Sequence, residues 1–189
     1  MVLVRANGVL APVFYASPTQ INFQLPWEML GQNQASIVVT VNGSVSDPQT
    51  IGLRAVSPGI FSTDSSGSGQ GAIQISNTAL FAAPNSALGR PAKRGEFLTI
   101  YCSGLGDVSP RPATGAASGS PLSSTLLSPS VTIGGVPALV IFAGLSPGFV
   151  GLYQVNVQVP DTAPSGGQVQ VVMTISGVSS NTVTVAVQE

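Results

Sequence analysis

One seven-residue pattern, Gln-x-Asn-x-Gln-x-Pro with apolar residues at each x, occurs twice in this chain. Gln20-Ile21-Asn22-Phe23-Gln24-Leu25-Pro26 returns as Gln154-Val155-Asn156-Val157-Gln158-Val159-Pro160, and the displacement of 134 residues holds as far as Thr40-Val41-Asn42-Gly43 against Thr174-Ile175-Ser176-Gly177. Such self-similarity restricts the fold before any local assignment, because both copies must be able to adopt the same supersecondary unit. Upstream, Asn7-Gly8-Val9-Leu10-Ala11-Pro12-Val13-Phe14-Tyr15-Ala16 pairs with Gly134-Gly135-Val136-Pro137-Ala138-Leu139-Val140-Ile141-Phe142-Ala143 at a displacement of 127. The second copy therefore carries about seven extra residues, which fall in the loop Leu145-Ser146-Pro147-Gly148-Phe149-Val150-Gly151. At 189 residues the chain is long enough for two small β domains.

The repeated segment reads as a strand because its apolar residues alternate with period 2 and not 3.6. Ile21, Phe23 and Leu25 fall on one face and Gln20, Asn22 and Gln24 on the other; Val155, Val157 and Val159 alternate with Gln154, Asn156 and Gln158 in the same way. Residues 37–41, 169–175 and 182–187 are rich in β-branched side chains and are bounded by Asn-Gly, Gly-Gly and Ser-Gly turns. Short strands at this spacing predict an all-β chain of two tandem sandwiches. Helical signal is confined to Trp27–Gln32 and Thr78–Leu88, both short and close to Pro or Gly, so no helix longer than two turns is expected.

Residues 95–106, Gly-Glu-Phe-Leu-Thr-Ile-Tyr-Cys-Ser-Gly-Leu-Gly, supply the second copy with an opening strand that ends in a glycine-rich turn. The first copy has no counterpart. The expected organisation is an incomplete sandwich at 1–64, a flexible linker at 65–70, and a complete sandwich at 71–189 with an N-terminal hairpin and a long Ser/Gly/Pro loop over 109–130. An open sheet edge exposes unpaired backbone donors and acceptors. The chain is therefore expected to be the C-terminal part of a longer polypeptide or to receive its missing strand from elsewhere, with strand exchange or a dimer through the open edge as one route.

Composition narrows the chemistry. Charged residues make up 7 % of the chain, against about 25 % in an ordinary soluble protein. With six Lys and Arg against seven Asp and Glu, the net charge is −1, and no basic field exists to neutralise nucleic-acid phosphates. There is no His and a single Cys, which removes the commonest general base, the commonest metal ligand and any intrachain disulfide. Lys93, the only Lys, stands beside Arg90, Arg94 and Glu96 in what reads as a solvated link. Residues 67–71 are glycine-rich but lack the Lys-Ser/Thr of a phosphate loop. Asp47, Asp64, Asp107, Asp161, Glu28, Glu96 and Glu189 form no clustered motif; Asp107 reads as an Asx turn and Cys102 as a small buried hydrophobe. No catalytic residue, cofactor or metal site is expected. No apolar run approaches the roughly 20 residues needed to cross a bilayer, so membrane insertion is not expected, and residues 1–15 do not read as a signal peptide.

The polar faces of the repeated strands form the one candidate binding site. Gln20, Asn22 and Gln24, with Gln154, Asn156 and Gln158, make two amide rows suited to sugar hydroxyls if an aromatic ring stands beside them; Trp27, Tyr153 and Tyr15 are the available rings. The competing reading has these amides fastening loops by hydrogen bonding to backbone groups. Phe149, next to Gly148 in the inserted loop, is a candidate apolar tip for docking on a neighbour.

The runs Ser17-Pro18-Thr19-Gln20-Ile21-Asn22-Phe23-Gln24-Leu25-Pro26-Trp27, Pro91-Ala92-Lys93-Arg94-Gly95-Glu96 and Gly151-Leu152-Tyr153-Gln154-Val155-Asn156-Val157-Gln158-Val159-Pro160 resemble the Solibacter-type uncharacterized C-terminal domain family. The likeness extends over nearly the whole chain. It implies a relative of the IPT/TIG immunoglobulin-like modules, hence two tandem immunoglobulin-like (IPT/TIG-like) β-sandwiches, the first lacking its opening strand. This chain departs from the family in lacking the strand that normally precedes the Asn7-Gly8 region. The family sits at the C-terminus of large exported or surface proteins of soil bacteria and carries no established activity. The function expected is a non-enzymatic structural, adhesion-like or interaction module of a larger exported bacterial protein, extracellular or at the cell surface. Its partners would be other domains of a longer polypeptide or another protein. The alternatives are a carbohydrate-binding module for polysaccharide and an accessory domain of an exported enzyme whose catalytic part is absent.

Overall fold

A computed structural model describes residues 1–189. The first part of the chain forms β1 (Val2–Ala6), β2 (Val9–Ala11), β3 (Val13–Ala16), β4 (Ile21–Phe23), a single 3-10 turn at Trp27–Met29, β5 (Gln34–Val41), β6 (Ser44–Val45) and β7 (Gln49–Gly52). The remainder forms β8 (Gly59–Ile60), β9 (Ile73–Ile75), β10 (Phe81–Ala82), β11 (Gly89–Arg90), β12 (Ala92–Lys93), β13 (Phe97–Ser103), β14 (Val108–Ser109), β15 (Ser124–Thr125), β16 (Ser130–Ile133), β17 (Val136–Leu145), β18 (Tyr153–Gln158), β19 (Gly166–Ile175), β20 (Val178–Ser179) and β21 (Val183–Gln188). The architecture is all-β. β1, β2, β5, β6 and β7 make one small sheet, β3 and β4 a ribbon, and β8 to β21 a continuous 14-stranded set of ladders.

The sequence repeat is reproduced pair by pair in the hydrogen-bonded ladders. Val4↔Val39 and Ala6↔Ile37 between β1 and β5 match Val131↔Met173 and Ile133↔Val171 between β16 and β19. Ser36↔Thr50 and Ala35↔Ile51 match Gln170↔Thr184 and Val169↔Val185. Even the irregularity repeats: the β3–β4 register slips between Val13 and Tyr15, and the β17–β18 register slips between the corresponding Val140 and Phe142. A bulge needs two residues opposite one, so its recurrence at the same place marks one inherited backbone geometry. The tight turns coincide as well, with positive φ at Asn7-Gly8, Asn42-Gly43, Gly134-Gly135 and Ser176-Gly177, the backbone that two-residue hairpins require.

The copies differ in what covers them. In the second, β18 pairs with β17 on one edge and β13 on the other, so Val155 and Val157 lie beside Ile100 and Leu98 in one sheet, and these residues with Val159 and Cys102 belong to a core of 26 buried residues. All six of those side chains are completely buried. In the first copy β4 pairs with β3 alone, and its buried cluster is Ala6, Met29 and Ala35, with Val9, Ile37 and Leu53 packed against it. Ile21 and Phe23 are half-buried and Leu25 is exposed, whereas Val155, Val157 and Val159 at the matching positions see no solvent. At about 1.5–3 kcal/mol for each fully buried aliphatic or aromatic side chain, the second copy holds most of the hydrophobic stabilisation.

Val56 and Ile60, expected in the first unit, lie in the larger core, and Ile60 pairs with Cys102. Residues 65–70, expected as a linker, are hydrogen-bonded to their surroundings. Ser62 accepts the Gly67 N–H at 2.8 Å, Thr63 donates to Gln70 O at 2.9 Å, and Thr184 donates to Gly69 O at 2.7 Å, which ties the loop to β21. Thr78–Leu88 contains no helix: Phe81 pairs with Gln74 on one side and Gly89 on the other, and Pro84 within the segment lacks the N–H that a helix interior needs.

Candidate functional site

One recess lies where the uncovered face of the first unit meets the larger body. It has a volume of about 500 Å³ and is floored by Phe23, Leu25, Met29 and Leu53, with Gly104 and Tyr153 on the opposite wall. Arg54 is the only charged side chain lining it. Gly104 makes the closure possible. It has φ +75°, and a Cβ there would sit 1.9 Å from Ser57 O, so only glycine admits the approach in which Ser57 N–H donates to Gly104 O at 2.8 Å. Tyr153 is buried at the recess wall, where its hydroxyl donates to Gly106 O; loss of solvation raises its phenol above the ordinary range, with the nearby Asp107 charge adding to it.

The two amide rows are divided among different tasks. Gln20 and Asn22 are exposed, and Gln20 Nε2 donates to Asn22 Oδ1 at 2.7 Å. Gln24 is 8 % exposed, and its Oε1 accepts the Gly115 N–H at 2.8 Å, across 91 residues of sequence. Gln158 Nε2 donates to Gly95 O at 3.0 Å. Gln154 and Asn156 are half-buried on β18, and Asn156 Oδ1 is a buried atom without a hydrogen-bond partner. The rows therefore do not converge on one surface, since the outer ends bind backbone of two separate loops.

The aromatic candidates are similarly engaged. Trp27 is half-buried against the larger core, the Arg111 guanidinium lies 5.9 Å from its ring centroid, and its backbone N–H donates to Thr114 Oγ1 at 3.1 Å. Its indole Nε1 is buried without a partner. Thr114 in turn donates to Glu28 Oε2 at 2.7 Å, and that bond holds the Glu28 carboxyl below its ordinary pKa. The loop at 109–130, expected as a surface excursion, thus straps the two units together through Thr114 and Gly115. Tyr15 is 52 % exposed and pairs directly with Asn22, so it is the one open ring beside an amide. Phe149 is 56 % exposed at the tip of the inserted loop, which is anchored by Ser118 N–H to Phe149 O at 3.2 Å and Gly148 N–H to Ser118 O at 2.8 Å.

Two ion pairs form, Arg90–Glu96 and Arg111–Asp107. Arg90 engages Glu96 through two bonds of 2.9 and 2.8 Å, and Glu96 also accepts the Lys93 N–H at 2.8 Å; the guanidinium bonds hold the Glu96 carboxyl below its usual value. The link that reads as solvated in the sequence is thus partly ordered by charge pairing, and Arg94 Nε reaches Ala163 O at 2.9 Å. Asp107 accepts its neighbour's N–H from Val108 at 2.8 Å and pairs with Arg111, whose hydrogen bonds lower its pKa. Asp64, fully solvated, is lowered to about 2 by the Ser66 N–H and the Ser66 and Ser62 hydroxyls. Burial pushes the Cys102 thiol up to about 12. No three groups of metal-ligating type come together.

Sequence reasoning missed Asn181. Its Oδ1 accepts the Ile60 N–H at 2.7 Å, and its Nδ2 donates to Ile60 O at 2.9 Å and Gly67 O at 2.6 Å, so one amide takes the place of a strand partner for β8 and closes the 62–71 loop. Its position in the polar run Ser179-Ser180-Asn181 carries no local signal of contacts 114 and 121 residues away. Comparison with family models, curated proteins and solved structures finds no match to the chain.

Proposed function

We propose that the chain is a non-enzymatic structural or interaction module, built as a tandem of immunoglobulin-like (IPT/TIG-like) sandwiches with the first incomplete, in a larger exported bacterial protein. The observation that carries this reading is the contrast between the two copies of one ladder: the second is covered and complete, and the first presents an apolar inner face beside an unpaired strand edge. A recess lined by apolar side chains such as Phe23, Leu25 and Leu53 together with neutral polar ones such as Gln32 and Asn33, with its one charge on Arg54, is better suited to packing and strand pairing than to proton transfer. The polar side chains support the same view, because Gln24, Thr114, Gln158 and Asn181 are spent on backbone groups of loops. Placement outside the cell, with other domains or another protein as partner, belongs to this reading.

The carbohydrate reading retains one specific observation, the exposed Tyr15 ring opposite Asn22 with Gln20 alongside. Affinity electrophoresis through gels containing soluble polysaccharides separates the two. An interaction module migrates unretarded in every gel. Retardation that disappears in Tyr15→Ala overturns the leading reading in favour of sugar binding.

A further inference from the structure

We infer that the first unit is a strand acceptor: the outer edge of β4 receives an extended segment of another polypeptide, antiparallel, with apolar residues at alternate positions in the pattern of Leu98-x-Ile100-x-Cys102. The inference rests on the module reading above and names the chemistry of its partner.

The chain itself shows what belongs there. β18 is the repeat counterpart of β4, and its second edge is occupied by β13 with Leu98↔Val157 and Ile100↔Val155 in register. Carried back through the repeat, those partners would stand opposite Phe23 and Ile21. The backbone of β4 is oriented to accept them. Gln24 donates its N–H to Pro12 O and Gln20 offers its carbonyl to Ser17, so residues of even number face β3; by strand alternation the N–H and C=O of Ile21 and Phe23 point to the other edge, where no strand pairs. The side chains agree with the backbone. The inner face that β13 and its neighbours cover in the second copy is open in the first, with Leu25 37 % exposed, Ile51 40 % and Val41 44 %, and the apolar recess at Phe23 and Leu53 opens on that face. An unpaired edge flanked by an uncovered apolar face is the arrangement on which β-strand addition operates, main-chain bonds giving affinity and alternate side-chain sites giving specificity.

The test uses the full chain and a synthetic peptide of residues 96–104 with Cys102→Ser, which is the strand that fills the equivalent place. Fluorescence anisotropy should show saturable binding, and amide hydrogen exchange should show new protection at Ile21 and Phe23. The same peptide N-methylated at the residues corresponding to Leu98 and Ile100 keeps its side chains but loses the edge-facing donors, and should bind at least about tenfold more weakly. The protein variant Phe23→Asp should weaken binding to a similar degree, while Asn22→Ala on the opposite face should not. No saturable binding, equal binding of the N-methylated peptide, or protection away from β4 overturns the proposal. A chain that dimerises in sedimentation velocity through protected β4 amides, with the dimer indifferent to peptide, overturns it in favour of a second copy as occupant. Failure of the peptide to bind leaves unretarded migration in polysaccharide gels unchanged, so the strand-acceptor inference and the module reading fall to different results.

Discussion

Replacing Asn181 by alanine asks how much of the larger core's stability depends on one amide. The truncation leaves the Ile60 N–H and the Ile60 and Gly67 carbonyls without their partners at 2.7, 2.9 and 2.6 Å. A buried polar group orphaned in this way costs about 1–3 kcal/mol, and at a half-buried position water brings each group toward the low end, for about 2–4 kcal/mol in all. In a chain of this length each kcal/mol corresponds to about 2–4 °C in Tm, so the variant should melt roughly 4–16 °C below the parent. Thermal and urea unfolding followed by circular dichroism measure both quantities. Asn22→Ala serves as the reference, since Asn22 is exposed and its side-chain bond goes only to Gln20; an exposed substitution of that kind stays within about 0.5 kcal/mol. If Asn181→Ala and Asn22→Ala prove equally mild, the assignment of Asn181 as the strand partner of β8 is wrong.

Gly104→Ala should destabilise by more than about 1 kcal/mol and loosen the contact with Ser57, whereas Gly43→Ala, with similar positive φ but open space around it, should pay only the conformational part; urea midpoints compare them. Lowered folded-state carboxyl pKa values stabilise above the ordinary range and lose that contribution as pH falls through the folded values. With Glu96 and Asp107 both shifted down, stability should decline on acidification below about 4.5 and stay level from pH 5 to 8, where no His titrates; Glu96→Gln should make the acid limb shallower in pH-dependent melts. Cys102, buried with its thiol pushed up to about 12, should resist a thiol reagent at neutral pH in the native state and react once urea unfolds the chain.

Period-2 alternation and the constant displacement made the strands and their turns readable from the residues alone, because both are local properties of the backbone. β4, β5, β18, β19 and β21 arise where Ile21, Ile37, Val155, Val169 and Val183 predict them. Even the inserted loop falls between the ends of β17 and β18. What could not be read was every feature that depends on a distant partner. Ser65 to Gln70 carries the composition of a linker, and it is fixed by distant partners, Asn181 at Gly67 and β21 at Gly69 and Gln70. Gln24 and Gln20 occupy equivalent places in one alternating row, yet one meets Gly115 and is buried while the other meets solvent. The amide rows looked like one surface because alternation records the face and not what lies across from it.

The same limit applies to the apolar rows, and it yields a paired experiment. Ile51 and Val185 hold the same ladder position, opposite Ala35 and Val169 respectively, but Ile51 is 40 % exposed and Val185 fully buried. Threonine keeps the branched shape favoured in strands while adding a hydroxyl, which is costly only where no water or partner reaches it. Val185→Thr should therefore destabilise by about 1–3 kcal/mol, the cost of an unpartnered buried hydroxyl in protein mutational data. Ile51→Thr should stay within about 0.5 kcal/mol, as an exposed substitution does, and should reduce aggregation by blunting an open apolar face. Equal losses at the two sites in urea unfolding would mean that the first copy's inner face is covered in solution, and the edge of β4 would then no longer be available to an incoming strand.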